Sequence, residues 1–349
     1  MFQILRSRVI EAVPLLLILS IVSFAMVRAL PGDPVEALIG ESTRDISREQ
    51  LKYLRKEFGL DDPVPIQYSR WLLGWFGKGE LGRSYQDNRP VLEVITERFP
   101  ATILLTGVAI LLSFSLGIFW GLTLIVIRRG LKFLETAFVS LTLFIYSIPS
   151  FLAGLAVIFL ATYLDPLRSI PIFKSLEPSG SMNILTLVPF VLLPAISLAI
   201  GKSAKIALFI RALALDEINK SYVTTAVAKG LPQWKVLLFH VCKNCLPPVI
   251  NLLALSLPAL IGGSVLIETI FGWPGTGRLA VDATFGRNYP VMTCIVMIYG
   301  SMVILANLLA DIITPMIDPR QSSNLLNSQK STGAGGVLEG ADAPRSVSR

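Results

Sequence analysis

Residues 101–132 read ATILLTGVAILLSFSLGIFWGLTLIVIRRGLK, and from Ala101 to Ile127 the run carries no charged side chain before Arg128, Arg129 and Lys132 follow at once. About 20 consecutive apolar residues suffice to cross a bilayer as a helix. Lipid offers no partner to backbone N–H and C=O groups, so a run of this length is read as a transmembrane helix. The cations behind it mark its cytoplasmic end.

The same pattern recurs on either side. Ala12–Val27, Thr136–Leu164, Met182–Gly201, Leu246–Ile267 and Tyr289–Ala310 bring the number of expected spans to six. Over the 349 residues 53% are hydrophobic and only 16% charged, a balance rare in soluble domains of this length. The strand-like alternation of a membrane barrel is absent. The expectation is an all-α membrane protein with six transmembrane helices. Arg6 and Arg8 precede the first span, and the loop Lys202–Lys243 carries Lys202, Lys205, Arg211, Lys220, Lys229, Lys235 and Lys243 against Asp216 and Glu217. Both termini are therefore expected in the cytoplasm, with 31–100, 165–181 and 268–288 outside. Topology accounts for the net charge of +7, so no nucleic-acid partner is implied. A basic start followed by Ser23-Phe24-Ala25 imitates a signal peptide. Apolar character running on to Leu30, and Pro14 within the apolar region, favour a retained span.

The expected organisation is a first helix over 1–30, an extracytoplasmic segment over 31–100, a transmembrane core over 101–320 and a disordered cytoplasmic tail over 321–349. Within the outer segment Ser47 to Phe58 reads as an amphipathic helix capped by Ser47 and ended by Gly59. Trp71, Trp75 and Phe76 suit the layer where amphipathic rings settle at the membrane surface. The tail is rich in Ser, Gly and Ala without apolar periodicity.

Inside the basic loop, Ser221-Tyr222-Val223-Thr224-Thr225-Ala226-Val227-Ala228-Lys229-Gly230-Leu231-Pro232-Gln233-Trp234 joins good helix formers to a glycine stop and a proline restart. Two short helices turned at Gly230 make either a docking shape or an ordinary connector, and Ala226 and Ala228 are small enough for close approach by a partner. Other signals are weaker. Gly201-Lys202-Ser203 lacks the upstream glycine of a phosphate loop, where Ile196 stands. His240, Cys242 and Cys245 do not complete four metal ligands, and Cys294 stands alone, so the cysteines read as small packed residues. Asn219-Lys220-Ser221 matches a glycosylation acceptor on the wrong side of the membrane. Spans two to five hold no Asp, Glu or His, while Glu11, Arg28, Glu268 and Asp311 lie toward span ends. Proton-coupled carriers keep such groups in the bilayer, so an energy source outside the chain is expected. A secondary carrier or a channel is the alternative. No Ser, His and carboxylate set suggests hydrolysis, and the chain is not expected to be an enzyme.

Leu30-Pro31-Gly32-Asp33-Pro34, Phe58-Gly59-Leu60-Asp61, Leu81-Gly82-Arg83-Ser84, Ser147-Ile148-Pro149-Ser150-Phe151, the loop Tyr222–Gly230, Glu268-Thr269-Ile270-Phe271-Gly272-Trp273-Pro274-Gly275-Thr276-Gly277 and Asp318-Pro319-Arg320 stand in order along residues 1–320. Together they resemble the permease subunits of binding-protein-dependent ABC importers, most closely the dipeptide, oligopeptide and nickel branch. The resemblance implies an ABC importer type I transmembrane domain in the inner membrane of a prokaryote. It further implies a second homologous permease, two cytoplasmic ATPase subunits that carry ATP and Mg, an extracytoplasmic substrate-binding protein, and no cofactor in this chain. The coupling loop, 211–247, would meet the ATPase through Tyr222, Thr225, Ala226, Ala228, Lys229, Gly230 and Leu231. Thr224 and Val227 stand where relatives often have basic residues, and an acidic residue common near Ser221 is missing. Ser147, Pro149, Ser150, Glu268 and Trp273 are candidates for the pathway or its outer gate. For the two serines the alternative is bonding to carbonyls freed by Pro149, and for the turn after Glu268 it is structural bracing. The outer segment either docks the binding protein or packs against the second permease.

Overall fold

The computed structural model describes residues 2–29, 52–53, 55–56, 59, 61–75, 81–163 and 187–317. Among them every regular element is helical except one isolated antiparallel bridge between Arg83 and Pro90. The helices are α1 (Phe2–Arg28), α2 (Val64–Leu73), α3 (Val91–Gly130), α4 (Lys132–Ser147), α5 (Ser150–Tyr163), α6 (Leu192–Ile218), α7 (Ser221–Ala228), α8 (Cys242–Ile270), α9 (Thr276–Phe285) and α10 (Tyr289–Ile317). One helical turn, Gln233–Lys235, and a π-helical segment, Val236–Val241, lead from α7 into α8. Three helices are long and apolar enough to cross a membrane alone, within α3, α6 and α10. The bent pairs α4 with α5, and the π segment with the start of α8, raise that to five, and Ile10–Met26 of α1 is a shorter apolar helix.

The most extensive contact joins α3 to α6. Its cause is local in the sequence. Gly117 and Gly121 stand one turn apart on α3. A Cβ on Gly117 would lie 2.6 Å from Ile206 Cβ and 2.9 Å from Ser203 O, and one on Gly121 would lie 2.9 Å from Ala207 O. Two missing side chains let the backbones approach, and Ala204, Ala207 and Ala214 on α6 are correspondingly buried. Around this pair sit an inner cluster near Leu105, Leu198, Ile267 and Trp273, and a cluster at the C-terminal end of α3 near Ile125, Ala214, Val236 and Val241. A third cluster joins Val91, Ile95, Ala283, Val291 and Ile295 at the opposite end.

Three expected boundaries are corrected. α3 begins at Val91, before Pro100, and its 40 residues extend about 60 Å, twice the hydrocarbon thickness. Pro100 thus sits inside a helix that projects out of the apolar layer. The fourth span was expected to end at Gly201, but α6 continues to Ile218. Lys202, Lys205 and Arg211 therefore lie on a helix rather than in a loop. Their long stems keep charge at the edge of the helix, and Arg211 finds a carboxylate, as described below. Third, the break within Thr136–Leu164 is sharper than a proline kink: α4 and α5 meet at 100°. Ile148, the residue before Pro149, is extended with φ −74° and ψ 121°, the region that a following proline imposes.

Between α1 and α2, Gly59 has φ +61° and its N–H donates to Lys56 O at 3.1 Å, the geometry of a helix stop. Trp71 and Trp75 meet at 5.6 Å between ring centres with their planes tilted by 45°, and Trp71 also meets Phe24 of α1 at 5.7 Å. Ser23-Phe24-Ala25 lies within α1, where Ser20 and Ser23 are buried. The turn Leu81–Ser84 is fastened to the start of α10: Asn288 Nδ2 donates to Ser84 Oγ at 2.9 Å, and Tyr85 N–H donates to Asn288 Oδ1 at 3.1 Å. Leu30–Pro34, Ser47–Leu51, Phe76, 165–181, Asp318–Arg320 and the tail 321–349 lie outside the described residues.

Candidate functional site

The basic loop begins where α6 stops. Lys220 turns extended with φ −80° and ψ 149°, and α7 starts behind it. Tyr222 ties α7 to its neighbours: its hydroxyl donates to Glu217 Oε1 at 2.6 Å and accepts from Asn244 Nδ2 at 3.0 Å. Burial, and then the bond to Glu217, push the Tyr222 hydroxyl up to about 12. One face of α7 is internal, with Val223 and Ala226 packed against Ile125, Ala214, Val236, Leu237 and Val241. Its other face is exposed: Thr224, Thr225, Val227, Ala228 and Lys229.

The helix ends in a Schellman arrangement. Gly230 has φ +79°, its N–H donates to Val227 O at 2.9 Å, and Leu231 N–H donates to Ala226 O at 3.4 Å. Leu231 folds back on the same apolar cluster. No atom lies within 4 Å of where a Gly230 Cβ would stand, so the glycine answers to backbone conformation alone. Pro232 O accepts from Lys235 and Val236, restarting the helix as expected. The second helix is a single turn that runs into the π segment, shorter than the sequence suggests.

The predicted loop residues therefore divide. Thr225, Ala228, Lys229 and Gly230 face out, Tyr222 and Leu231 are half-buried, and Ala226 is 6% exposed. Ala226 was expected on the surface offered to a partner. It instead lets α7 sit close on its own core, because Val223 and Ala226 share one helical face at spacing three. The exposed apolar residues here are Val227, Trp234, Leu238 and Phe239. Val227 stands four residues after Val223, only about 40° round the helix, so helical period alone would have turned it inward, yet it is exposed where α7 ends.

At the far end, the turn after α8 is closed upon itself. The fully buried Glu268 places Oε2 2.7 Å from Gly277 N and 3.1 Å from Arg278 N, accepting both first-turn N–H groups of α9. A carboxylate at a helix start satisfies orphan donors and faces the positive end of the dipole. Thr102 Oγ1 accepts from Thr276 N–H at 2.8 Å, and Trp273 Nε1 donates to Ala101 O at 2.9 Å. A Cβ on Gly275 would run into the Glu268 carboxylate and come within 2.6 Å of Thr102 Oγ1. Trp273 is 0% exposed. Within this chain Glu268 and Trp273 thus belong to a bracket joining α3, α8 and α9, the bracing alternative.

At the α4–α5 bend Ser147 Oγ donates to Leu143 O at 2.7 Å and Phe144 O at 3.1 Å. These carbonyls belong to its own helix and are not the one that Pro149 frees, Ile145 O, which accepts from Ile148 N–H at 3.3 Å. Ser147 and Pro149 are exposed and Ser150 is half-buried.

One cluster had no sequence signal at all. Glu135, 6% exposed, accepts from Arg211 Nε at 2.9 Å and Nη2, and from Arg128 Nη1 at 3.4 Å. It stitches α4 to the C-terminal end of α3 and to α6, seven residues before α6 ends. Charges that are 76 residues apart in sequence reveal their pairing only in the fold. Among the described residues no group of three or more His, Cys, Asp or Glu is placed to hold a metal ion.

Residues 96–323 match the family described as binding-protein-dependent transport system inner membrane component, and residues 1–106 match its N-terminal membrane component. Oligopeptide transport system permease protein AppB of Bacillus subtilis (strain 168) is 35% identical over 319 residues, spanning 90% of this chain and 97% of AppB. Dipeptide transport system permease protein DppB of Escherichia coli (strain K12) is 34% identical over 339 residues, spanning 92% of this chain and 98% of DppB. Among solved structures, a chain of the MetNI methionine ABC transporter in an inward-facing conformation aligns with a TM-score of 0.51 at 19% identity, over 65% of this chain and 97% of its own, a likeness of fold. With the family match reaching across most of its length, this chain belongs to the inner-membrane permease components of binding-protein-dependent ABC transport systems.

Proposed function

We propose that this permease forms half of a pathway for di- or oligopeptides and is driven through its loop Tyr222–Leu231 by ATPase subunits. In this reading it spans the inner membrane six times with both termini in the cytoplasm. A second related permease completes the pathway, an extracytoplasmic binding protein delivers cargo to the side of segment 31–100, and ATP and Mg reside on two partner subunits. The carrying observation is the amphipathic α7. Its inner face is fixed to the ends of α3 and α6, while Thr225, Val227, Ala228 and Lys229 project beyond them. A push on that outer face is transmitted to the spans rather than absorbed by a free loop. The peptide cargo rests on the names of AppB and DppB.

ATP-driven closure of the partners would tilt the balance between inward- and outward-open states by its differential affinity for the two. Moving a ratio from 1:99 to 99:1 takes about 5.5 kcal/mol, and a rigid contact is required to deliver it. Ser147, Pro149 and Ser150, at the open side of the α4–α5 bend, are the proposed pathway contacts. Glu268 and Trp273 hold the outer end in shape. The test is purification of the full-length chain from its native membrane in mild detergent, with a photo-crosslinking residue at Val227. Recovery of a second permease and crosslinking to an ATPase subunit is the expected result. A chain recovered alone that moves solute in liposomes without ATP would overturn the reading and make it a carrier or channel.

A further inference from the structure

A cavity of about 310 Å³ opens between the end of α1, α2 and the start of α10. Phe24, Arg28, Gln67, Trp71, Tyr85 and Tyr289 are among its lining residues. Its chemistry is one-sided. Arg28 lies 5.7 Å from the centre of the Phe24 ring and donates to Gln67 Oε1, a neutral acceptor. Its guanidinium has five N–H groups. Among the described residues no carboxylate pairs with it. The indole N–H of Trp71 on its wall is a buried donor without an acceptor among the described residues, as is that of Trp75, whose tilted ring lies behind it. A half-buried cation and an unanswered indole donor on one cavity call for an oxygen-rich anion, since a buried donor left unpaired is costly.

The surroundings choose the source. α1 packs mainly against α10, and Val13, Leu17, Ile21 and Val22 along its length are exposed. It is a peripheral helix with an apolar outer surface. Trp and Tyr side chains of this kind gather where acyl chains give way to headgroups. We propose that this cavity binds the phosphate of an anionic phospholipid, with Arg28 as the cation and the Trp71 indole as a second donor, the acyl chains lying along α1. No part of the coupling loop or of the bend at Pro149 contributes to it.

The experiment uses the full-length chain in nanodiscs that mix phosphatidylglycerol with phosphatidylcholine, read by native mass spectrometry for retained lipid and by quenching of Trp fluorescence with brominated phosphatidylglycerol. The expected result is selective retention of phosphatidylglycerol that falls about tenfold in Arg28→Gln and stays within about threefold in Arg28→Lys. Trp71→Phe keeps the ring, loses the N–H, and should weaken retention by a smaller factor. It also serves if Arg28→Gln fails to insert. Equal retention in wild type, Arg28→Gln and Trp71→Phe would overturn the proposal. So would displacement of the lipid by millimolar inorganic phosphate or by a dipeptide with a free carboxylate, which would mark a site for soluble anions.

Discussion

Two glycine-bearing turns at opposite ends of the bundle look alike as sequence and do opposite things. Gly230 stands in open space with φ +79°, and only its backbone conformation matters. Gly275 and Gly277 are pressed against Glu268, and what matters there is the absence of a side chain. The turn at Gly230 leaves Val227, Trp234 and Phe239 uncovered, whereas the turn at Gly275 seals Trp273 completely. One end leaves apolar side chains open, and the other closes on its own side chains.

The largest break in that contrast is Glu268→Ala. It orphans the N–H groups of Gly277 and Arg278 at about 1–3 kcal/mol each, so the melting temperature of the detergent-solubilised chain should fall sharply. Glu268→Gln keeps an acceptor oxygen and should recover part of the loss. An unchanged melting temperature in the alanine variant would mean the carboxylate is no cap. Next comes Gly275→Ala, where a methyl must displace Glu268 or Thr102 at a cost of about 1–3 kcal/mol. Gly230→Ala should cost about 1–2 kcal/mol locally, from its left-handed backbone, and leave the outer bracket untouched. Hydrogen exchange across α7 against α9 separates these two glycine variants, and matching patterns would erase the distinction. Val227→Asp should alter thermal stability by under about 0.5 kcal/mol while reducing recovery of an ATPase subunit on purification. Its full recovery would remove Val227 from the docking surface.

The smallest effect concerns Tyr222. Its hydroxyl, ordinarily 10.0 and here pushed up to about 12, favours the protonated form in the folded chain. Its contribution is therefore complete below pH 10 and is lost as pH climbs from 10 to 12. Tyr222→Phe should flatten that alkaline decline, and ultraviolet titration of the chain tracks it directly.

Length and polarity made the helical membrane character legible, because a run such as Ala101–Ile127 has no other stable form in lipid. The stop at Gly230 and the restart at Pro232 were equally plain, since glycine and proline act through their own backbones. Boundaries were harder where polarity and helix disagree. Gly201 and Lys202 ended the apolar run, yet α6 continues through them because helices outside the hydrocarbon need no apolar surface. Pro149 announced a disturbance, while its 100° size depends on how α4 and α5 pack. The inward turn of Ala226 follows from helical phase relative to a core that must already be known. Glu135 with Arg211 was illegible, since nothing in either neighbourhood names its distant partner. The close approach at Gly117 and Gly121 had a readable small-residue spacing, and only the fold says which helix it receives.

The most direct test is peptide uptake and ATP hydrolysis measured together, in proteoliposomes holding the full transporter and its binding protein, for wild type and Gly230→Pro. Proline fixes φ near −65° and removes the N–H that bonds Val227 O, so the turn into Pro232 cannot form. The account predicts a chain that still inserts, whose uptake is lost and whose ATP hydrolysis no longer responds to loaded binding protein. Wild-type uptake with normally stimulated hydrolysis in Gly230→Pro would contradict it.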